Sequence, residues 1–415
     1  MKTRTFFLSV MITTLVLAQF NPTVAQGDKK AVQDSLANKY HLSELPNFNY
    51  GKGIGMISPD STFRLNIRFR MQNRLVVSSF DNSISSVEAR IRRLRLKFDG
   101  WVFNPRLSYA IELAFSRRDI RPLPGSPPNI INDAIILYKV TKQFSLGFGQ
   151  TKLPGNRQRV ISSGNIQLVD RSIANGIFNI DRDFGGFIYY SNQFSDNFYY
   201  RLRGAITTGE GRNWTENTSN GLSYTGRIEL LPLGEFTNKG DYFEGDLERE
   251  PNPKLAIGLS YNYNDNAVRT AGQRGREMWD NKNLTHFMAD IIFKYRGMAF
   301  EAEYLQRKTN NPISINPENA NEQLFVYKGS GVNFQMSYLL PKNYEIAGRY
   351  TSIIPDEEIR SLTDKIDNYI IGFSKYIRGH TLKIQSDLIY SIKEEMNTGI
   401  KNNYFEFRFQ IELGI

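Results

Sequence analysis

A strict two-residue alternation of apolar and basic side chains constrains this chain more than any other feature. The clearest example is residues 64–75, which read RLNIRFRMQNRL. Large apolar side chains take odd positions there, and arginine takes four even ones, Arg64, Arg68, Arg70 and Arg74. A helix would scatter both sets around its axis, whereas a strand separates them onto two faces. The segment therefore predicts a β-strand with one apolar face and one strongly positive face.

Alternating segments of this kind recur along the chain to its last residue. The final one, residues 404–415, reads YFEFRFQIELGI. About sixteen such segments can be counted, each near the 9–11 residues that a tilted strand needs to cross a bilayer. We therefore predict an all-β fold, a transmembrane antiparallel β-barrel of about 16 strands. A water-facing interior also reconciles a mean hydropathy of −0.43 with residence in a membrane.

The connections between these segments alternate in length. Long ones are expected over residues 77–89, 116–131, 151–182 and 208–221, and short ones over residues 103–106, 141–143 and 192–197. Long external loops and short periplasmic turns are typical of outer-membrane barrels. Residues 232–253 break the pattern, because this acidic connection falls on the short side yet is long, and the sequence gives no reason for it.

The N-terminus predicts export. Lys2 and Arg4 precede an apolar run over residues 6–18, and Thr23-Val24-Ala25 resembles a cleavage site. We expect a signal peptide over residues 1–25, a short periplasmic lead-in over residues 26–60 and an outer-membrane β-barrel over residues 61–415. Localisation to a bacterial outer membrane follows from these segments.

Charge and composition limit the classes of partner that can be expected. For an exported chain with a net charge of +10, nucleic acid is not expected, whereas outer-membrane lipid, lipopolysaccharide and small anionic solutes are. The chain has no cysteine, which excludes disulfides and thiolate metal sites. With only three histidines, neither a metal site nor a cofactor is expected.

In a barrel the basic face lines the lumen. The expected pore-lining, anion-binding residues are Arg64, Arg68, Arg70, Arg74, Arg93, Arg95, Lys97, Arg201 and Arg203. The second hairpin arm, RLRLKFDGW, pairs with the first, so one wall should be strongly positive. Rows of fixed charge can select ions in this way, but such a wall can also pair with loop acids and merely shape the field. Both interpretations stay open.

The connection after the fifth predicted strand carries apolar residues that a solvated loop would not need. It reads TKLPGNRQRVISSGNIQLVDRS over residues 151–172. We expect this third loop to fold into the barrel, which would bury those residues and narrow the pore. It would bring to a constriction the charged residues Lys152, Arg157, Arg159, Asp170 and Arg171. Solute binding and anchoring of the loop are equally compatible with these charges.

Two segments together resemble a known family. They are RIRRLRLKFDGWVFNPRLSYAIELAF, residues 90–115, and GQTKLPGNRQRVISSGNIQLVDRS, residues 149–172. Both are similar to the phosphate-selective porin O and P family. The resemblance implies a homotrimeric, sixteen-stranded porin whose third loop folds inward and whose lumen binds phosphate or related anions. Of the family's loop motif, Lys152, Arg159 and the pair Asp170-Arg171 are the positions that carry over.

Rival functions are a general-diffusion porin without selectivity, a barrel enzyme and an adhesin. His286 and Asp290 share one strand face, but no serine nucleophile signature accompanies them, so we predict a hydrogen-bonded lumen histidine and no catalytic residue. His41 falls in the lead-in and His380 in a short turn. Adhesion through the long loops stays open. The prediction is a channel for passive diffusion of small anions.

Overall fold

The computed structural model describes residues 47–49, 53–80, 83–120, 129–213 and 219–415. The predicted signal peptide and the start of the lead-in lie outside these residues. Two short strands come first, β1 (Asn47–Asn49) and β2 (Gly53–Ile57). The next strands are β3 (Phe63–Phe80), β4 (Ser83–Val102), β5 (Asn104–Ala114), β6 (Ile131–Lys139), β7 (Phe144–Lys152), β8 (Arg182–Ser195), β9 (Phe198–Thr207) and β10 (Ser223–Leu231).

The second half of the chain continues in the same way. Its strands are β11 (Lys254–Arg269), β12 (Glu277–Tyr295), β13 (Met298–Lys308), β14 (Ile313–Asn316), β15 (Asn319–Phe325), β16 (Gly329–Leu340), β17 (Tyr344–Pro355), β18 (Lys365–Arg378), β19 (Leu382–Glu394) and β20 (Lys401–Gly414). Strands β14 and β15 form a separate hairpin.

Sixteen antiparallel strands, β3–β13 and β16–β20, close into a barrel. Closure is made by β20 pairing with β3, with Gly414 opposite Arg70 and Phe409 opposite Leu75. This confirms the predicted fold class and strand number. Where β20 ends, β2 continues along the same edge of β3, with Ile54 opposite Ile67. The end of the lead-in therefore seals the lower part of the seam.

Burial alternates along the strands as the sequence predicted. In β12, His286, Asp290 and Ile292 are buried, whereas Phe287 and Ile291 are exposed. The exposed apolar face is the one that meets lipid in a membrane barrel, and the buried face points to the lumen. The barrel is thus apolar outside and largely polar inside.

Among the described residues, three short helices and three 3₁₀ turns lie in the connections. They are α1 (Arg117–Ile120), α2 (Arg157–Val160) and α3 (Ile173–Phe178), and the 3₁₀ turns Thr237–Tyr242, Pro341–Asn343 and Glu357–Ile359. None of the described helices has the length and apolar character needed to cross a membrane.

The connection lengths agree with the sequence except at the first hairpin. Strand β3 runs to Phe80 and β4 starts at Ser83, so the predicted long loop over residues 77–89 is wrong. The reason is that both arms continue to pair through most of that segment, with Val77 opposite Val87. The long connection over residues 232–253 is present between β10 and β11, as the sequence indicated.

Candidate functional site in the barrel lumen

The third loop, residues 153–181, is bound to lumen-facing side chains of strands far apart in the sheet. Arg157 donates to Asp290 of β12 at 3.0 Å, and the Gln158 amide donates to Glu303 of β13 at 2.8 Å. Farther along, the Val169 amide donates to Asp387 of β19 at 3.0 Å. Because lumen-facing side chains from distant strands converge on it, the loop is held at many points of the inner wall.

Most apolar side chains of the third loop are buried, and they hold the loop in its packed position. Leu153, Ile161, Ile166, Leu168 and Val169 are buried, as are Ala174 and Phe178 of α3. Leu168 lies so close to Gly372 of β18 that a Cβ on that glycine would be 2.1 Å from a Leu168 methyl carbon. A side chain at position 372 would therefore displace the loop.

Asp170 is the electrostatic anchor of the loop. Its carboxylate lies 3.1 Å from Arg74, 2.8 Å from Arg92 and 3.2 Å from Arg93. Burial pushes the pKa of Asp170 upward, but the surrounding guanidinium groups outweigh it and hold the pKa well below its usual range. Asp170 therefore stays charged wherever the barrel is folded at neutral pH.

Arg92 could not be recognised from the alternation, because the alternation of inward and outward side chains along β4 is broken at this residue. The register of β3 and β4 shifts between the pairs Gln72–Arg93 and Asn73–Ile91. An extra residue in one strand lets neighbouring side chains point the same way, and both Arg92 and Arg93 are buried against Asp170. The doubled arginine in RIRRLR was the available signal.

The acidic connection over residues 232–253 also contacts lumen-facing side chains, and we call it the insertion. Asp241 pairs with Arg201 of β9, and Lys294 of β12 donates to the Gly240 carbonyl at 2.8 Å. The Phe243 ring contacts the His380 ring in the β18–β19 turn in a tilted arrangement, with 5.3 Å between ring centroids. The insertion therefore reaches from its own hairpin to a distant sector of the wall. Glu235 and Asp241 explain part of its acidic composition, because both pair with Arg201.

The insertion and the third loop also bind each other. The Glu244 amide donates to the Asn165 carbonyl at 2.8 Å, and the Gln167 amide donates to the Glu244 carboxylate at 3.1 Å. The third loop and the insertion are thus bound to each other as well as to lumen-facing side chains of the strands.

Many of the cations named from sequence are engaged with carboxylates. Arg95 pairs with Glu112 and Asp119 at 2.9 Å each, Arg157 with Asp290 and Glu229, Arg159 with Asp181, and Arg201 with Asp241 and Glu235. Four of these partners come from connections rather than strands, namely Asp119, Asp181, Glu235 and Asp241. Asp170, the partner of Arg74 and Arg93, also lies in a connection. Alternation in the strands does not predict where loop acids will lie.

Arg171 is held differently, because its guanidinium donates to backbone carbonyls of the loop itself, including Ile161 at 2.7 Å. Burial lowers the pKa of Arg171 to about 10, so the group still carries its charge at neutral pH. Its role is to fold the loop on itself while adding positive charge inside the barrel.

A second group of predicted cations keeps contact with water. The Arg68 side chain is 39% exposed beside Asp99, and Arg203 is 24% exposed. Lys97 lies opposite both Arg68 and Glu112 in the sheet and forms no ion pair within the described ranges. Arg70 is 17% exposed and donates to Ser163 at 2.8 Å, while Arg64 is exposed and bonds to Asn66 at 3.4 Å. The positive wall predicted from β3 and β4 is thus present and partly hydrated.

Arg203 sits against the insertion. Its guanidinium lies 5.2 Å from the ring centre of Tyr242 and 3.6 Å from the Glu229 carboxylate, and it donates to the Tyr242 hydroxyl. Burial and Glu229 raise the pKa of Tyr242 to about 12, so the hydroxyl keeps its proton and donates to Glu229 at 2.6 Å. This arrangement orients the guanidinium while leaving part of it in water.

Lys152 and Arg203 line one cavity of about 190 Å³ between the third loop and the wall. Its other lining residues are Thr151, Leu153, Pro154, Val160, Phe187, Tyr189 and Gly204. Lys152 forms no ion pair with any described residue and donates to the Arg159 carbonyl at 3.4 Å. A cavity lined by a lysine and an arginine, with no carboxylate among its lining residues, is suited to an anion.

His286 has the environment expected of a structural lumen histidine. Its Nε2 accepts a hydrogen bond from Arg307 at 2.7 Å, and its Nδ1 lies 3.2 Å from the Asn262 side chain. Asp290 is bound instead to Arg227 and Arg157. Within the described residues, no cluster of histidine and acidic side chains is arranged to hold a metal ion.

Comparison with known proteins decides the family. The sequence profile of the family described as phosphate-selective porin O and P matches residues 65–411, nearly the whole barrel. The chain belongs to this family. It is therefore a porin of the outer membrane, and the resemblance carried by the strand and loop motifs is confirmed.

Solved structures similar to this porin share its fold at low sequence identity. The anion-selective porin from Comamonas acidovorans superposes with a TM-score of 0.51 at 9% identity, covering 84% of this chain and 99% of its own. OmpF of Salmonella typhi, in complex with daunomycin, gives 0.51 at 12% identity, covering 85% and 98%. The channel DcaP of Acinetobacter baumannii gives 0.50 at 12%, covering 86% and 99%. No curated protein matches the porin in sequence.

Proposed function

We propose that this porin forms a water-filled channel for passive diffusion of small anions, with the hydrated cations of the β3–β4 wall and of the Lys152 cavity along the path. The observation that carries the proposal is the separation of the cations into two groups. Those bound by loop acids hold the loop and the insertion in place. Those that keep contact with water, Arg68, Arg70, Lys97 and Arg203, have charge to offer a passing solute.

The hydrated group is concentrated on one side of the barrel. Arg68 and Lys97 are cross-strand neighbours on β3 and β4, and Arg70 is opposite Arg95. The acids that contact these cations are Asp99, which binds Arg68, Glu112, which binds Arg95, and Glu412, which lies 3.9 Å from Arg70. Positive charge therefore exceeds negative charge along the wall, which favours anions over cations in a narrow aqueous path.

The third loop and the insertion set the width of that path. Both are tied to lumen-facing side chains, so the space left for solute is the part of the lumen that they do not cover. The third loop is accordingly the constriction, with Lys152 and Arg171 on the solute side and Arg157, Arg159 and Asp170 serving as anchors.

Phosphate is the solute suggested by the family's description. In this chain, phosphate as the solute is supported by the many arginine side chains, because a guanidinium group matches the geometry of phosphate and carboxylate alike. We further propose that the mature protein is a homotrimer that contacts outer-membrane lipid and lipopolysaccharide through its apolar exterior, and that residues 1–25 are removed on export.

The test is the reversal potential of single channels of purified protein in a planar bilayer under a KCl gradient. Anion passage predicts a potential close to the chloride equilibrium value. A potential near zero would leave a general-diffusion porin. Absence of conductance, with folding verified by circular dichroism, would favour an adhesive or enzymatic barrel.

A further inference from the structure

The wall around the Lys152 cavity is apolar on both of its faces. In β8, Phe187 and Tyr189 face the interior while Ile188 is exposed. In β6, Ile135 is buried inside while Ile136 is 57% exposed. Both faces of these strands are thus apolar, although a lumen face is ordinarily polar.

This interior apolar surface is continuous. Ile135, Leu153, Phe187 and Ala205 belong to one buried cluster, against which Leu137 and Tyr189 also pack. The rings of Phe187 and Tyr189 are stacked, with 6.4 Å between centroids. Part of this surface serves to seat the third loop. Val160, Phe187 and Tyr189 additionally line the cavity beside Lys152 and Arg203.

From this juxtaposition we infer that the cavity binds an organic carboxylate with an apolar body, such as an aromatic acid, in preference to a bare inorganic oxyanion; the inference rests on the proposed anion channel. A carboxylate presents two oxygens, which one guanidinium and one ammonium can satisfy. Its apolar body then replaces water along the aromatic and aliphatic lining.

Phosphate is a poorer match for the same lining. Phosphate carries more oxygens than a carboxylate and is strongly hydrated. A site that removes this water must replace several hydrogen bonds. Here the Thr151 hydroxyl already donates to Asp133 at 3.0 Å, and Arg203 already donates to Tyr242. The cavity volume of about 190 Å³ corresponds to roughly six water molecules, so size admits either solute and the lining decides.

The experiment uses the full purified porin in planar bilayers at neutral pH, first measuring the reversal potential and then titrating benzoate, acetate or inorganic phosphate into one chamber. Benzoate is expected to half-block the current at about a tenfold lower concentration than acetate or phosphate, the discrimination typical of a modest apolar contact. Acetate is the matched probe, because it has the carboxylate without the apolar body.

Phe187→Ala should bring the benzoate and acetate midpoints together. The matched control is Phe148→Ala, because Phe148 lies on neighbouring β7 but is 64% exposed on the outer face, so this variant should keep the tenfold preference. If the wild-type channel selects anions but benzoate blocks no better than acetate or phosphate, the inference is overturned and the proposed function stands. If the reversal potential shows no anion preference, the proposed function itself fails.

Discussion

Replacing Asp170 by asparagine should release the third loop from the wall. The carboxylate is 15% exposed and lies within 3.2 Å of Arg74, Arg92 and Arg93, whose side chains are 4–8% exposed. Asp170→Asn would leave three buried guanidinium groups facing one another without a counter-charge. Removing one partner of a buried ion pair costs about 3–5 kcal/mol. The closed state of the loop should therefore lose between about a hundredfold and a few thousandfold in population relative to open states.

Trypsin is a direct assay, because the loop contains Arg157, Arg159 and Arg171 as cleavage sites. Proteolysis follows the population of the open form when opening and closing are fast. The matched control is Asp99→Asn, which breaks the Arg68 pair on the same wall. That pair is exposed, 39% and 25% for its two side chains, so its loss should cost no more than about 1 kcal/mol and leave loop cleavage unchanged. Loop cleavage at the wild-type rate in Asp170→Asn would refute the anchoring role of this cluster.

Further perturbations address the other contacts. Gly372→Val should force Leu168 away from β18 and destabilise the closed loop by about 1–3 kcal/mol, which would be visible as faster tryptic cleavage. The control is Gly348→Val, because a Cβ at position 348 is not crowded. Deleting residues 237–249 should raise single-channel conductance, since the insertion covers part of the lumen; unchanged conductance would show that solute passes elsewhere. The folded-state pKa of Asp170 lies below its unfolded value, so the stability that Asp170 gives the closed loop is present above about pH 4 and is lost as the pH falls through the lowered pKa. Current noise from loop motion should therefore stay constant from about pH 7 to pH 4 and rise only below pH 4. A rise in noise between about pH 7 and pH 5 would contradict this role of Asp170.

The barrel could be predicted because its determinants are local. Alternation along β3, β4 and β20 requires only that one face meets lipid and the other water, and strand pairing follows from the turns between neighbours. The prediction failed at residues 77–89 for a related reason. The sequence does not show how far the two strands of a hairpin remain paired beyond the membrane.

The interior was harder to predict because its contacts join residues that are remote in sequence. The cluster around Asp170 unites a loop with two strands and depends on a bulge that places Arg92 beside Arg93. The insertion binds cations on β9 and β12 through carboxylates and carbonyls whose positions depend on the folded barrel. The Lys152 cavity did have a signal, since the run FIYY in β8 lacks a polar face. Only the fold shows that its inner aromatic side chains meet Lys152 and Arg203.

Anion selection by the hydrated cations is tested most directly by the ion selectivity of a charge-reversed channel. Lys97→Glu combined with Arg203→Glu changes two hydrated cations that the proposed path would pass, and Arg360→Glu makes a like change on the external Glu357–Ile359 turn, where the Arg360 side chain is 38% exposed. In a KCl gradient, we expect the double variant to shift the reversal potential from the chloride value toward the potassium value and Arg360→Glu to leave it in place. A double variant that folds, conducts and keeps the wild-type reversal potential would contradict the claim that these hydrated cations select the permeating ion.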